Sequence, residues 1–259
     1  VLLLAIVLVA VLLAWLERGR TDGAARAIEG VLARRWTPVV VGLVWAAVVW
    51  WSWGAVHPRA VLHDEIAYVL QARLFAEGRW TAPAPPMADF FAQPHVLVSP
   101  AIAAKYPPGH SLLLALGELF GAPVLVVIAL AALRGAMVFA LARRLSNGTV
   151  ALGTSILLLH GDSLNWAASW FSETTTAALL LVSWYALLRW HQEKGRRWIV
   201  LLALALGWIA ISRPFSAALF ALPIGVVVLR DVVRDRRWRD LALAVAVGTA
   251  IVAIIPLWS

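Results

Sequence analysis

Cysteine is absent from the 259-residue sequence, which excludes disulfide cross-links and thiolate metal sites and leaves the redox compartment open. Charge is scarce as well. Asp, Glu, Lys and Arg make up 14% of the chain, where a soluble domain carries about 25%. No HExxH or similar ligand spacing links the six histidines, and His160 with Asp162, two residues apart, is too weak a pattern to name a metal. No nucleic-acid-binding motif accompanies the net charge of +8, so the positions of the basic residues have to explain it.

What fills the space is apolar. Hydrophobic residues reach 62% and the mean hydropathy is +0.84, more than a soluble domain carries without aggregating, so the expected class is an all-α polytopic membrane bundle. Fifteen tryptophans fit interfacial anchoring. Val1 to Leu16 reads as a span that has lost its start rather than a signal peptide, because no small-residue cleavage site follows it. Glu17 to Arg35 is a polar connector, and Thr37 to Val56 is a full-length apolar run. His110 to Phe120 is too short to cross and reads as re-entrant or interfacial. Gly121-Ala122-Pro123 separates it from Val124 to Ala142. Further runs occupy Thr149 to Leu159, Thr174 to Leu188, Trp198 to Ile211, Phe215 to Leu229 and Leu241 to Trp258. The expectation is about eight crossings in a single transmembrane domain over 1–259. Because the chain opens at Val1 and stops at Ser259 just after an apolar run, it is expected to be a fragment.

Lys and Arg set the orientation. With Glu17 to Arg35 inside, alternation brings Arg143-Arg144, Arg189 to Arg197 and Arg230 to Asp240 to the same side, and these four connectors hold 16 of the 22 basic residues. The long loop over residues 57–122 then faces away from the cytoplasm. Alternation also splits Trp198 to Leu229 into a hairpin at Ser212-Arg213-Pro214, since one long helix would put two basic connectors on opposite sides. Each arm of about 15 residues spans roughly 22 Å against a hydrocarbon core of about 30 Å. Arg213 is therefore expected below the outer interface, beside a partner or a wet cavity.

The polar residues of the long loop are where chemistry can reside. His63 to Trp80 opens with Asp64 and Glu65 on a helix-like run, with Ile66, Val69, Leu70 and Leu74 on one face and Gly78 as its stop. Asp64 reads either as a helix cap or as a catalytic carboxylate fixed by capping. Lys105, leading into Pro107-Pro108-Gly109, reads as a snorkelling interfacial lysine or as a cation able to hold a phosphate. In SWFSETTT, Ser172 and the threonines form a capping signature with Glu173 in the first turn. Asp162 is a turn residue on the same expected side, where a carboxylate-lined cavity is possible. Arg134, deep in its run, either snorkels or pairs with an acid. Asn147-Gly148-Thr149 matches a glycosylation sequon but falls in an inside connector and reads as a turn.

Four of these segments, in this order, resemble one family. HDEIAYVLQARLFAEGRW, KYPPGHSLLLALG, SWFSET and SRPF are similar to landmarks of the integral-membrane C-superfamily glycosyltransferases that use polyprenyl-phosphate sugars. The closest branch is the protein-mannosyltransferase and aminoarabinose-transferase-like one, glycosyltransferase family 39-like. The resemblance covers most of Thr37 to Leu229. It implies Asp64 as the catalytic carboxylate with Glu65 beside it for orientation, Lys105 as a donor-phosphate contact, Arg213 as the basic residue near the lipid phosphate, and Glu173 as an acid at the cavity. Tyr68 and His110, inside these motifs, and Asp162, from its expected side of the membrane, complete the expected substrate-binding set. Ala67 and Ala104 stand where the aminoarabinose branch tends to have Arg and Glu, so that sugar and its metal site do not carry over, and a divalent cation stays open.

The implied partners are a polyprenyl-phosphate-linked sugar donor and a protein, lipid or glycan acceptor, with no nucleic acid. The implied place is a bacterial inner membrane with the loop facing the periplasm. The competing class is a transporter or flippase for a lipid-linked or anionic solute, to which broken helices and Arg134 also lend themselves. A non-catalytic assembly partner is the third reading.

Overall fold

A computed structural model of the protein describes residues 22–56, 60, 62–159 and 161–255. Val1 to Leu16, His57, His160 and Trp258 lie outside them. The chain is mostly helical, with eleven α-helices among the described residues. They are α1 (Asp22–Leu32), α2 (Thr37–Val56), α3 (His63–Ala76), α4 (Gly109–Glu118), α5 (Val124–Leu145), α6 (Gly148–Leu158), α7 (Asp162–Ala167), α8 (Glu173–Glu193), α9 (Arg196–Ser212), α10 (Pro214–Asp235) and α11 (Trp238–Val252). Between α3 and α4 lie the short strands β1 (Ala82–Pro83), β2 (Val96–Leu97) and β3 (Ala101–Ala104), antiparallel in the order β1-β3-β2.

Among the described residues two helices, α5 and α10, are long and apolar enough to cross a membrane, and a third span arises if Ala25–Leu32 and Thr37–Trp53, bent by 85°, count as one. Length explains part of the difference from the expected eight, since Val1 to Leu16 lies outside the described residues and α8, at 21 residues, is not short. At 17 and 15 residues, α9 and α11 reach about 26 and 22 Å, short of a core of about 30 Å. The residues following α3 differ too, since the proline-rich stretch forms a small sheet. Glu17 to Arg35 is likewise more than a connector, for Ala-rich Asp22–Leu32 favours helix and buries Leu32 against Phe139 and Ala151.

The described part of Val1–Val56 and residues Ile128–Ala168 form one compact unit. There α2 meets α5 at glycines. A Cβ on Gly42 would stand 2.5 Å from the Ala132 carbonyl oxygen, and one on Gly135 would enter the buried Trp45 ring. The Glu29 carboxylate accepts from the Gly148 and Thr149 amides at 2.7 and 3.0 Å, neutralising the N-terminus of α6. Asn147 caps the same helix by accepting from the Val150 amide at 2.9 Å, so the sequon is a helix cap and not a free turn. Arg134 donates to Ser163 at 2.8 Å and lies 5.5 Å from the Trp45 ring centre.

The second unit joins His57–Val127 to Ser169–Ser259. The hairpins of α8, α9 and α10 close on Leu187, Trp190, Ile199, Leu202, Ile224 and Val228. Two buried acids tie down the helix ends. Asp231 accepts from Lys194 at 3.0 Å and pairs with His191, while Asp240 takes Trp190 Nε1 at 3.1 Å and Arg237 at 2.5 Å. The expected hairpin break is present at Arg213, with arms of 17 and 22 residues rather than two of about 15. On α10, Phe215, Leu219, Leu222 and Val226 remain exposed, an apolar stripe suited to lipid.

Candidate active site

Helix α3 begins at His63, and the capping role expected of Asp64 belongs to Glu65. Glu65 Oε2 accepts from the Leu62 amide at 3.4 Å and Oε1 from the Trp170 amide at 3.1 Å. Its side chain is fully buried, so Glu65 fastens the start of α3 to the segment before α8 and does not sit beside Asp64 at the surface. The helix ends at Ala76, and Gly78 follows with φ +73°, a conformation only glycine adopts without strain.

Freed from capping, Asp64 faces the loop. Its Oδ1 lies 2.7 Å from His95 Nε2, both side chains being a little over one-third exposed. The Asp64 carboxylate also lies close enough to the Tyr106 phenol to shift its titration. The His95 ring stacks on Tyr106 with centres 5.2 Å apart, and Tyr106 stacks on Tyr68 at 4.6 Å. Burial and the nearby Asp64 carboxylate raise the Tyr106 pKa, so the phenol keeps its proton. Desolvation pushes Tyr68 up to about 12.

From Tyr68 a second chain of contacts leads to the α9–α10 break. Tyr68 Oη and Ser172 Oγ are 2.9 Å apart, Arg213 donates to Ser172 Oγ at 3.3 Å, and Arg213 pairs with Glu173. Ser172 stands at the N-cap position of α8 without making a capping hydrogen bond, because its hydroxyl serves Tyr68 and Arg213. Glu173 Oε2 is buried and accepts no hydrogen bond among the described residues.

His110 has a different office from the ligand contact expected of it. Fully buried at the start of α4, it donates from Nε2 to the Trp170 carbonyl and accepts at Nδ1 from Thr175 Oγ1, both at 2.8 Å. A carbonyl can only accept, which fixes the tautomer and leaves neither nitrogen for a substrate. Burial lowers its pKa from 6.5 to about 4, the Trp170 carbonyl offsetting part of that shift. As pH falls below 6.5 the unfolded chain takes up this proton first. Stability that is complete above 6.5 should therefore decline toward pH 4 by about 3 kcal/mol and then level. Thermal unfolding in detergent across that range should show the decline in the wild type and not in His110→Gln; parallel curves would remove His110 as its cause.

Lys105 is exposed at the end of β3. Its amide donates to the His95 carbonyl at 3.0 Å and its Nζ to the Pro94 carbonyl at 2.8 Å, so it braces the segment carrying His95 and makes no ion pair among the described residues. Asp162 opens α7 in the other unit, and its side chain lies outside what the structure describes. Among the described residues no group of three or more His, Asp or Glu side chains could hold a metal ion.

The structure thus brings together Asp64, Tyr68, Glu173 and Arg213, and adds three residues that sequence reasoning missed: His95, Tyr106 and Ser172. Tyr106 was visible inside KYPPGH, and Ser172 inside the capping signature. His95 carried no signal of its own. No protein-family model, curated protein or solved structure matches the chain.

Proposed function

We propose that the protein is a membrane glycosyltransferase that moves a sugar from a polyprenyl-phosphate donor to an acceptor hydroxyl, with inversion, on the non-cytoplasmic side of a bacterial inner membrane. The eight crossings and the outward-facing loop over 57–122 belong to this proposal. The observation that carries it is the placement of Asp64, a partly exposed carboxylate paired with His95, on the same helix as Tyr68, which leads through Ser172 to Arg213.

The chemistry asks for little more. A sugar on a lipid phosphate already has a good leaving group, so the work is to position the acceptor, remove its proton and meet the phosphate charge. In this reading the acceptor oxygen forms its bond to the anomeric carbon while the bond to the phosphate oxygen breaks. The hydroxyl proton passes to Asp64, and polyprenyl phosphate leaves toward Arg213. The unfilled Glu173 Oε2 suits a sugar hydroxyl, since a buried acceptor without a donor is costly. An apolar cleft of about 540 Å³ between α9, α10 and α11, whose lining includes Pro214 next to Arg213, suits an isoprenoid tail.

The transporter reading rests chiefly on Arg134, whose guanidinium is engaged by Ser163 and Trp45. The helix break at Arg213 is common to both readings. The deciding experiment is transfer of a radiolabelled sugar from polyprenyl-phosphate donors in membranes holding the protein, and absence of transfer from every donor would sink the proposal. Arg213→Met should weaken binding of a polyprenyl phosphate about 10- to 100-fold, the loss expected for a charge-assisted phosphate contact. Unchanged binding would take the phosphate role from Arg213.

A further inference from the structure

The loop between α3 and α4 is built around one contact that the reaction as proposed does not use, that of His95 with Asp64. We infer that His95 is a positioning residue for Asp64: its Nε2 holds Oδ1 and thereby sets the direction in which the carboxylate meets the acceptor hydroxyl. The inference rests on the reading of Asp64 as the base and deepens it.

Three observations support it. First, the contact is short, 2.7 Å, although each side chain is more than one-third exposed. An exposed pair of this kind adds about 0–1 kcal/mol to stability, so the fold has little need of it. Second, His95 is itself held on several sides. Its carbonyl accepts from the Lys105 amide at 3.0 Å, the next residue Val96 pairs with Ala104 across β2 and β3, and the ring stacks on Tyr106. Even Lys105 Nζ contributes, through the neighbouring Pro94 carbonyl at 2.8 Å. Third, Tyr106 is stacked between His95 and Tyr68, so the imidazole is held in a ladder of rings. A contact from a ring held in this way limits the rotation that a lone aspartate would keep about its terminal bond.

Orientation matters to rate in a way that it does not matter to folding. A base must lie within hydrogen-bond reach of the proton it takes, and a displacement of about 1 Å is enough to cost about 100-fold. The proton goes from the acceptor hydroxyl to Asp64, while His95 Nε2 stays against Oδ1. Histidine is not needed for its charge in this role. A glutamine side chain also presents an N–H, and it should serve.

The test compares wild type, His95→Ala, His95→Gln and Asp64→Asn in the transfer assay, with rates expressed per molecule recovered as a single species on gel filtration. His95→Ala should lower kcat about 10- to 100-fold and leave the donor KM within about threefold, the pattern of a lost supporting contact. His95→Gln should recover most of that loss, which repair of a merely structural defect would not do selectively in kcat. Two results overturn the inference while leaving Asp64 as the base: kcat of His95→Ala within about twofold of wild type while Asp64→Asn is inactive, or His95→Gln as slow as His95→Ala. Full activity of Asp64→Asn overturns the base and the positioning residue together.

Discussion

Asp64→Asn lowers sugar transfer by about 1,000-fold and leaves the protein folded; that is the expected result, and its two halves come from different features of the site. Removing a general base costs about 100- to 10,000-fold. Asparagine keeps the size and an accepting oxygen, so His95 still finds a partner, but the amide cannot take the acceptor's proton. Stability is spared because the start of α3 depends on Glu65, which holds the Leu62 and Trp170 amides, and not on Asp64. The measurement is the rate of transfer per folded molecule, with the melting temperature read on the same preparation. Transfer within about tenfold of wild type would remove Asp64 as the base, since the low end of general-base catalysis is already larger. A collapse in melting temperature would show that the surface carboxylate supports the fold after all.

Apolar length was legible in the sequence, and polar pairing was not. Thr37 to Val56 is a helix from end to end, and the break at Arg213-Pro214 stands where charge alternation required one. Crossings were harder to count, because an apolar run reports transfer free energy and says nothing of how many residues join into one straight helix. Thus α9 and α11 are apolar yet short. In the site, Asp64, Tyr68, Glu173 and Arg213 stood out as polar residues in an apolar chain. Their partners did not, since Tyr68 and Ser172 are 104 residues apart and no local periodicity links them. Adjacent residues misled in a simpler way. Asp64 and Glu65 look like a pair, but neighbours on a helix point about 100° apart, and here one is buried among backbone amides while the other faces His95.

Gly109→Ala is expected to lower stability by about 3 kcal/mol and to loosen the loop that carries His95 and Tyr106. Glycine is present there for close approach and not for an unusual backbone conformation. A Cβ would stand 2.8 Å from Ile211 Cγ1 and 2.9 Å from the Ile211 carbonyl carbon, and would also strike Ser212 Oγ. A side chain can turn away, but a backbone carbon at the end of α9 cannot, so α4 and α9 must part. Parting them stretches the hydrogen bond from Trp208 Nε1 to the Gly109 carbonyl, 3.0 Å in the native structure. It also pulls on His110, whose ring joins α4 to Trp170 and Thr175. Tyr106 lies three residues before Gly109, so the ring stacked between His95 and Tyr68 shifts as the fold loosens. The checks are the melting temperature and trypsin cleavage at Arg79 and Lys105, which should become faster in the variant. Adding Ser212→Gly separates the two kinds of clash. It relieves the hydroxyl contact and leaves the backbone one, so the double variant should regain only part of the loss. Full recovery would show that Ser212 alone set the distance between α4 and α9, and an unchanged melting temperature in Gly109→Ala would show that the two helices have room to move apart without cost.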